Sequence, residues 1–188
     1  MDSLIVSQHI STICTNLPYL VAGTFACVFL YGKWKLISIP IFLTFASSIV
    51  NHLNIGDFEV KRWASIIDRT TGTFTGIAGI ALLLYFWKDL DVCPAVATLI
   101  TAILAIFIFV VAELRASLVI KTLDANNTLP SRLRALDPVQ GLTHINATNE
   151  SLLPRQAEYL CEHSLWHLAS GLCMIIFVIA FNGKHAAP

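Results

Sequence analysis

Residues 94–112 read PAVATLITAILAIFIFVVA, nineteen consecutive residues without a charged side chain. The hydrocarbon core of a bilayer, about 30 Å thick, is crossed by about 20 predominantly apolar helical residues, so this stretch is long enough to span. Four more stretches of this kind flank it, at about 13–32 (ICTNLPYLVAGTFACVFLYG), 36–54, 64–87 and 157–181. Together they predict an all-α integral membrane protein, a bundle of about five transmembrane helices forming one domain over 1–188. Pro94 suits a first helical turn. Tyr31, Trp34, Trp63 and the run Tyr85, Phe86, Trp87 suit the headgroup belts at span ends.

Composition agrees. Hydrophobic residues make up 56% of the chain and charged ones 13%, with a mean hydropathy of +0.71. Soluble domains carry about 25% charged residues, which excludes an ordinary soluble enzyme. Twelve Lys plus Arg balance twelve Asp plus Glu, so no basic surplus exists to neutralise phosphates, and no nucleic-acid partner is expected. The five cysteines form no C-x-x-C pair, and all but Cys93 lie in apolar runs, where cysteine acts as a small hydrophobe. The first fourteen residues hold Asp2 and no Lys or Arg, unlike a signal-peptide n-region, so the mature chain is expected to begin near Met1.

Residues 113–156, with Pro130, Pro138 and Pro154, read as a polar loop with some amphipathic helix near its start. Five spans put the N-terminus, the 2–3 loop and this loop on one side. Lys61, Arg62, Arg115, Lys121, Arg132, Arg134 and Arg155 lie there, against Lys33, Lys35, Lys88 and Lys184 opposite, which favours that side as cytoplasmic. The loop also carries N-x-S/T sequons at Asn126, Asn146 and Asn149, which would place the same side in the lumen if they are used. The sequence therefore holds two opposed orientation signals.

An ionisable residue deep in a span costs about 2.5 to 3.5 kcal/mol even on the lenient insertion scale, so each is a functional-site hypothesis. Those present are His52 near the end of span 2, Asp68 near the start of span 3, and His163 and His167 near the start of span 5, with Ser48 one turn behind His52. In HSLWH the two histidines are four apart, so both project from one helix face, the geometry of an H-x-x-x-H metal-binding unit. Span 2 ends on the side where spans 3 and 5 begin. At 1.5 Å rise per residue, all four residues should lie within roughly 10 Å of one membrane face.

Three neutral imidazoles with one open position are the ligand set of a catalytic zinc, because structural sites are closed by four protein ligands. Zinc lowers the pKa of a water in the open position toward about 7. Asp68 could take that proton as general base and Ser48 could donate to the oxyanion. No Glu lies inside the histidine pair, so this is not the H-E-x-x-H helix of metalloproteases, and Glu162 is expected to point elsewhere.

These residues resemble a membrane superfamily that includes the alkaline ceramidases, the adiponectin and progestin receptor family, and the myomaker and GPI-processing lipase relatives. In that superfamily an S-x-x-x-H at the end of the second helix matches Ser48 to His52. An Asp early in the third matches Asp68, and an H-x-x-x-H in the last helix matches His163 to His167. The resemblance implies a zinc ion on the three histidines, Asp68 holding the attacking water, Ser48 assisting the reacting carbonyl, and a membrane lipid amide or ester as substrate. It also implies a multi-pass protein of the endomembrane system, endoplasmic reticulum or Golgi. The superfamily usually has seven spans, so this chain would be a shortened member, and Arg69 beside Asp68 could hold it in a structural ion pair. The alternative is a non-catalytic subunit or receptor-like scaffold with membrane-protein partners in a larger assembly.

The remaining polar groups have plainer readings. His9, His144 and His185 read as surface histidines. Gly72, Gly76 and Gly79 give small-residue spacing that predicts a face meeting a neighbouring helix. Glu113 and Arg115 read as an interfacial charged pair, and Thr70, Thr71, Thr73 and Thr75 as threonines bonding back to their own helix.

Overall fold

The computed structural model describes residues 10, 13–53, 58–125 and 153–185. Five helices carry the fold: α1 (Leu17–Phe29), α2 (Ser38–Leu53), α3 (Phe58–Tyr85), α4 (Val92–Ala125) and α5 (Leu153–His185). Short 3₁₀ turns at Gly32–Ile37 and Trp87–Asp89 join α1 to α2 and α3 to α4. No strand occurs among the described residues.

Among the described residues, three segments are long and apolar enough to cross a membrane: Gly32–Leu53, Val92–Val119 and Cys161–Asn182. The other two stretches differ from expectation. α1 has 13 residues, about 20 Å at 1.5 Å per residue, because the apolar run is interrupted at both ends. Pro18 sits in its first turn, where the missing N–H costs nothing. At the other end Leu30 turns extended and Gly32 takes a φ of +54°, a conformation that favours glycine. α3 is 28 residues long, yet it carries Glu59, Lys61, Arg62, Asp68 and Arg69.

The helix expected near the start of the polar loop continues α4: Glu113 to Ala125 follows without a break, since the stretch contains no Pro or Gly, and Ala116 is buried along it. α5 begins at Leu153, with Pro154 in its first turn. The sequons at Asn126, Asn146 and Asn149, together with Arg132, Arg134, His9 and His144, lie outside the described residues.

α5 is the hub. It packs along most of α4 and against α1; α2 packs on α1 and α3, while α3 meets α5 only lightly. The inward face of α4 is a ladder of small residues, Ala95, Ala102, Ala105, Ala112 and Ala116, which lets α5 approach closely. Large apolar side chains point outward instead, among them Phe74, Ile77, Ile100, Ile103, Phe107 and Ile179, each at least half exposed. Trp34, Phe86 and Phe181 join the two 3₁₀ turns to the end of α5, with ring centroids 5.1 to 5.4 Å apart.

Gly171 sets the α1–α5 approach: a Cβ there would lie 2.7 Å from the Pro18 Cβ and 3.3 Å from the Tyr19 backbone nitrogen. Gly171→Leu is expected to destabilise the fold by about 1 to 3 kcal/mol through overpacking against backbone. Thermal unfolding in detergent reads this as a lower midpoint, and an unchanged midpoint would mean that α1 does not seat on α5.

The glycine row of α3 meets its neighbours only in part: a Cβ at Gly79 would touch the end of Met174 of α5 at 3.6 Å. A Cβ at Gly76 would touch nothing within 4 Å, and one at Gly72 would only graze Thr44 and Trp166 at 3.9 Å. Glycines on this face leave space because α3 and α4 do not close on one another. The threonines divide. Thr70 and Thr71 bond back to Ile66 and Ile67, but Thr71 also meets Ser47 at 2.7 Å, and Thr75 reaches across to Thr44 at 2.9 Å. Glu113 and Arg115 do not act as a pair within α4: Glu113 binds Arg69 of α3 at 3.2 Å, and Arg115 binds Glu162 of α5. A 34-residue helix turns these two side chains toward different neighbours.

Candidate metal centre

α2 buries Ile41, Thr44, Ser48 and His52, a spacing of three and four that forms one helix face. That face brings Ser48 and His52 inward together. α3 adds Ser65 and Asp68, and α5 adds His163 and His167 one turn apart. His52, Asp68, His163 and His167 are all buried, with ligating atoms within 4.8 Å of one another.

His167, 1% exposed, is the centre of the group. Its Nε2 lies 3.0 Å from Nε2 of His163, 3.1 Å from Nε2 of His52 and 3.4 Å from Oγ of Ser48. Its Nδ1 is buried without a hydrogen-bond partner, so the polar interactions of this ring lie on the Nε2 side. A neutral imidazole carries one N–H, and three Nε2 atoms facing one another cannot all be satisfied by a single shared proton. A cation between them takes all three lone pairs at once.

The spacing fits such an ion. Zinc–nitrogen bonds of about 2.0 to 2.1 Å in a tetrahedron put neighbouring ligand atoms about 3.3 Å apart. The observed 3.0 and 3.1 Å fall within a few tenths of that distance. The four residues can therefore hold a metal ion.

The surroundings position the set. Asn51, the residue before His52, donates from Nδ2 to Oδ2 of Asp68 at 2.9 Å, tying the carboxylate to α2. Arg69 turns its guanidinium to Glu113, and Glu162 turns away to Arg115, as its position on the helix suggests. Trp166 lies against both α5 histidines, with ring centroids 4.5 Å from His167 and 5.2 Å from His163, and meets Phe109 of α4 at 5.1 Å. Tyr19 presents its ring edge to His167 at 6.4 Å and shares a 2.5 Å hydrogen bond with Ser170.

On the far side of Trp166 is a cavity of about 390 Å³ between α3, α4 and α5. Tyr19, Trp166 and Ser170 line it, while none of the four cluster residues does, so Trp166 stands between an apolar space and a polar cluster.

All five residues singled out in the sequence thus meet at one place. Asn51, Tyr19 and Trp166 were not anticipated. Asn51 had a signal, a polar residue beside His52 inside an apolar run, whereas Tyr19 and Trp166 looked like ordinary span aromatics. No family model matches the chain, and comparison with curated proteins and with solved structures found no match.

Proposed function

We propose that this chain is a multi-pass membrane hydrolase of the endomembrane system that cleaves a lipid amide or ester with a zinc ion held by His52, His163 and His167. The observation that carries the reading is the convergence of three imidazole Nε2 atoms and the Asp68 carboxylate in one buried cluster built by three helices. Membrane residence is supported by the three long apolar segments and by an exterior of large apolar side chains, far more than an isolated soluble domain exposes. The motif resemblance to the ceramidase and adiponectin-receptor superfamily supports the substrate class.

When bound, zinc would supply a nucleophilic water near neutral pH and polarise the substrate carbonyl. The chain's own residues supply the rest. Asp68, held by Asn51, takes the proton of the attacking water and passes it to the leaving amine or alkoxide. Ser48, 3.4 Å from the His167 Nε2, donates to the oxygen that gains charge. Trp166 packs against the His163 and His167 rings and holds them in place.

Purified protein in detergent is expected to release fatty acid from members of a ceramide and phospholipid panel, with release lost in His163→Ala. Equal, background-level release from both proteins across the panel would end the hydrolase reading.

The opening between α3 and α4 favours a second reading, a non-catalytic subunit of a larger membrane assembly that keeps the fold and metal. Native mass measurement in mild detergent separates the two, since a stable monomer without partners counts against a subunit.

A further inference from the structure

The cavity beside the cluster is bounded by α3 on one wall and by α4 and α5 on the other. α3 and α4 pack together only sparsely beside it. Its volume, about 390 Å³, lies at the low end of the roughly 300 to 1,000 Å³ of small-molecule sites, room for one hydrocarbon chain rather than two. Gly72 and Gly76 make its floor smooth, since a side chain at Gly76 would project into open space. The described lining residues are apolar or uncharged apart from one, Arg69.

Arg69 follows Asp68 in sequence, so the charge lies at the cluster end of the cavity. Its partner Glu113 is not a lining residue. The pair, 3.2 Å apart and about three-quarters buried on each side, bridges α3 and α4 and holds Arg69 in the cavity lining. A guanidinium carries five N–H donors, so Arg69 can keep Glu113 and still offer donors to an incoming anion. The planar fork of a guanidinium matches carboxylate and phosphate oxygens two at a time.

We infer that Arg69 is a specificity residue that selects single-chain lipids with an anionic headgroup, its guanidinium taking the headgroup while the chain lies along Gly72 and Gly76. This rests on the lipid-hydrolase reading for its substrate class, but concerns binding and is tested without turnover. The anion can be a carboxylate or a phosphate, which share the recognising geometry.

The test is photoaffinity labelling of the full chain in nanodiscs, using diazirine-bearing palmitoyl probes: N-palmitoylglycine (carboxylate), palmitoyl lysophosphatidate (phosphate) and monopalmitoylglycerol (uncharged). Preference for at least one anionic probe over the uncharged one by about tenfold is expected, as is fitting for a charge-assisted contact. Which anionic probe wins identifies the headgroup. Arg69→Gln should remove that preference and leave uncharged labelling unchanged, while Arg69→Lys should retain part of it. Gly76→Phe, at a position with no neighbour to displace, should lower labelling by every probe. Equal labelling by all three probes in wild type, or a preference that survives Arg69→Gln, overturns the assignment of Arg69. Labelling unaffected by Gly76→Phe in a folded protein overturns the chain path. A chain that hydrolyses nothing but shows these preferences loses the enzyme reading and keeps this one. A hydrolase blind to headgroup charge does the reverse.

Discussion

Wild type is expected to contain about one zinc ion per chain, the count set by three imidazole ligands meeting at one point, and His167→Ala is expected to contain none. His167 is the residue to change because its Nε2 is the shared vertex, 3.0 and 3.1 Å from the other two. Removing it leaves His52 and His163 as a pair without the third ligand that makes a zinc site tight. Elemental analysis of detergent-purified protein reads this directly, with His163→Ala, His167→Ala as the more severe control. Ser48→Ala should keep its metal, because a hydroxyl beside the site is not needed to hold the ion.

A second readout follows from mass action. A ligand present at 100 times its dissociation constant stabilises the folded state by about 2.7 kcal/mol, so chelation should lower the unfolding midpoint of wild type and leave His167→Ala unmoved. A well-folded wild type that carries no metal and does not respond to a chelator would reduce the cluster to helix-linking polar groups. Such a role is the ordinary one for a buried histidine between spans.

Asp68→Asn is expected to cut turnover by a factor of about 10² to 10⁴, the usual contribution of a general base, while zinc content stays the same. The loss should fall on kcat with KM little changed, because the proton leaves the water only as the reaction proceeds. Asn51→Ala removes the hydrogen bond that orients the carboxylate and should have a smaller effect, about 10-fold to 100-fold, as for supporting residues around metal sites. The metal assay gives this variant a sharper purpose. Asp68 has its ligating oxygen within 4.8 Å of all three imidazole nitrogens, so it could instead be a fourth ligand. Four protein ligands close a zinc site and make it structural. If Asp68→Asn loses the ion along with activity, the carboxylate belongs to the coordination shell and the general base must be sought elsewhere.

The sequence by itself determined the helices and the cluster. An uncharged nineteen-residue run at 94–112 can only be a long apolar helix, and buried ionisable residues are rare enough in such a chain to stand out singly. The four-residue step of HSLWH and the places of His52 and Asp68 near the facing ends of consecutive helices were enough to expect His52, Asp68, His163 and His167 at one end. Periodicity and counting are local properties, and they are written in order along the chain. Helix ends were less legible: α1 stops at Phe29, and α4 runs on to Ala125, because capping and charge partners outside the apolar window decide where a helix stops.

Only the tertiary structure decided what faces what. Asn51 rather than Arg69 donates the hydrogen bond to Asp68 at 2.9 Å, and Arg69 reaches a glutamate 44 positions away. The glycine row of α3 lines a cavity although its spacing reads as a packing face, because small residues serve either purpose and the choice belongs to the neighbouring helix. α4 is drawn to α5 by its alanine ladder and leaves α3 uncovered. Which pairs of helices pack is settled by competition among every face in the bundle at once, and no single segment of sequence records its outcome.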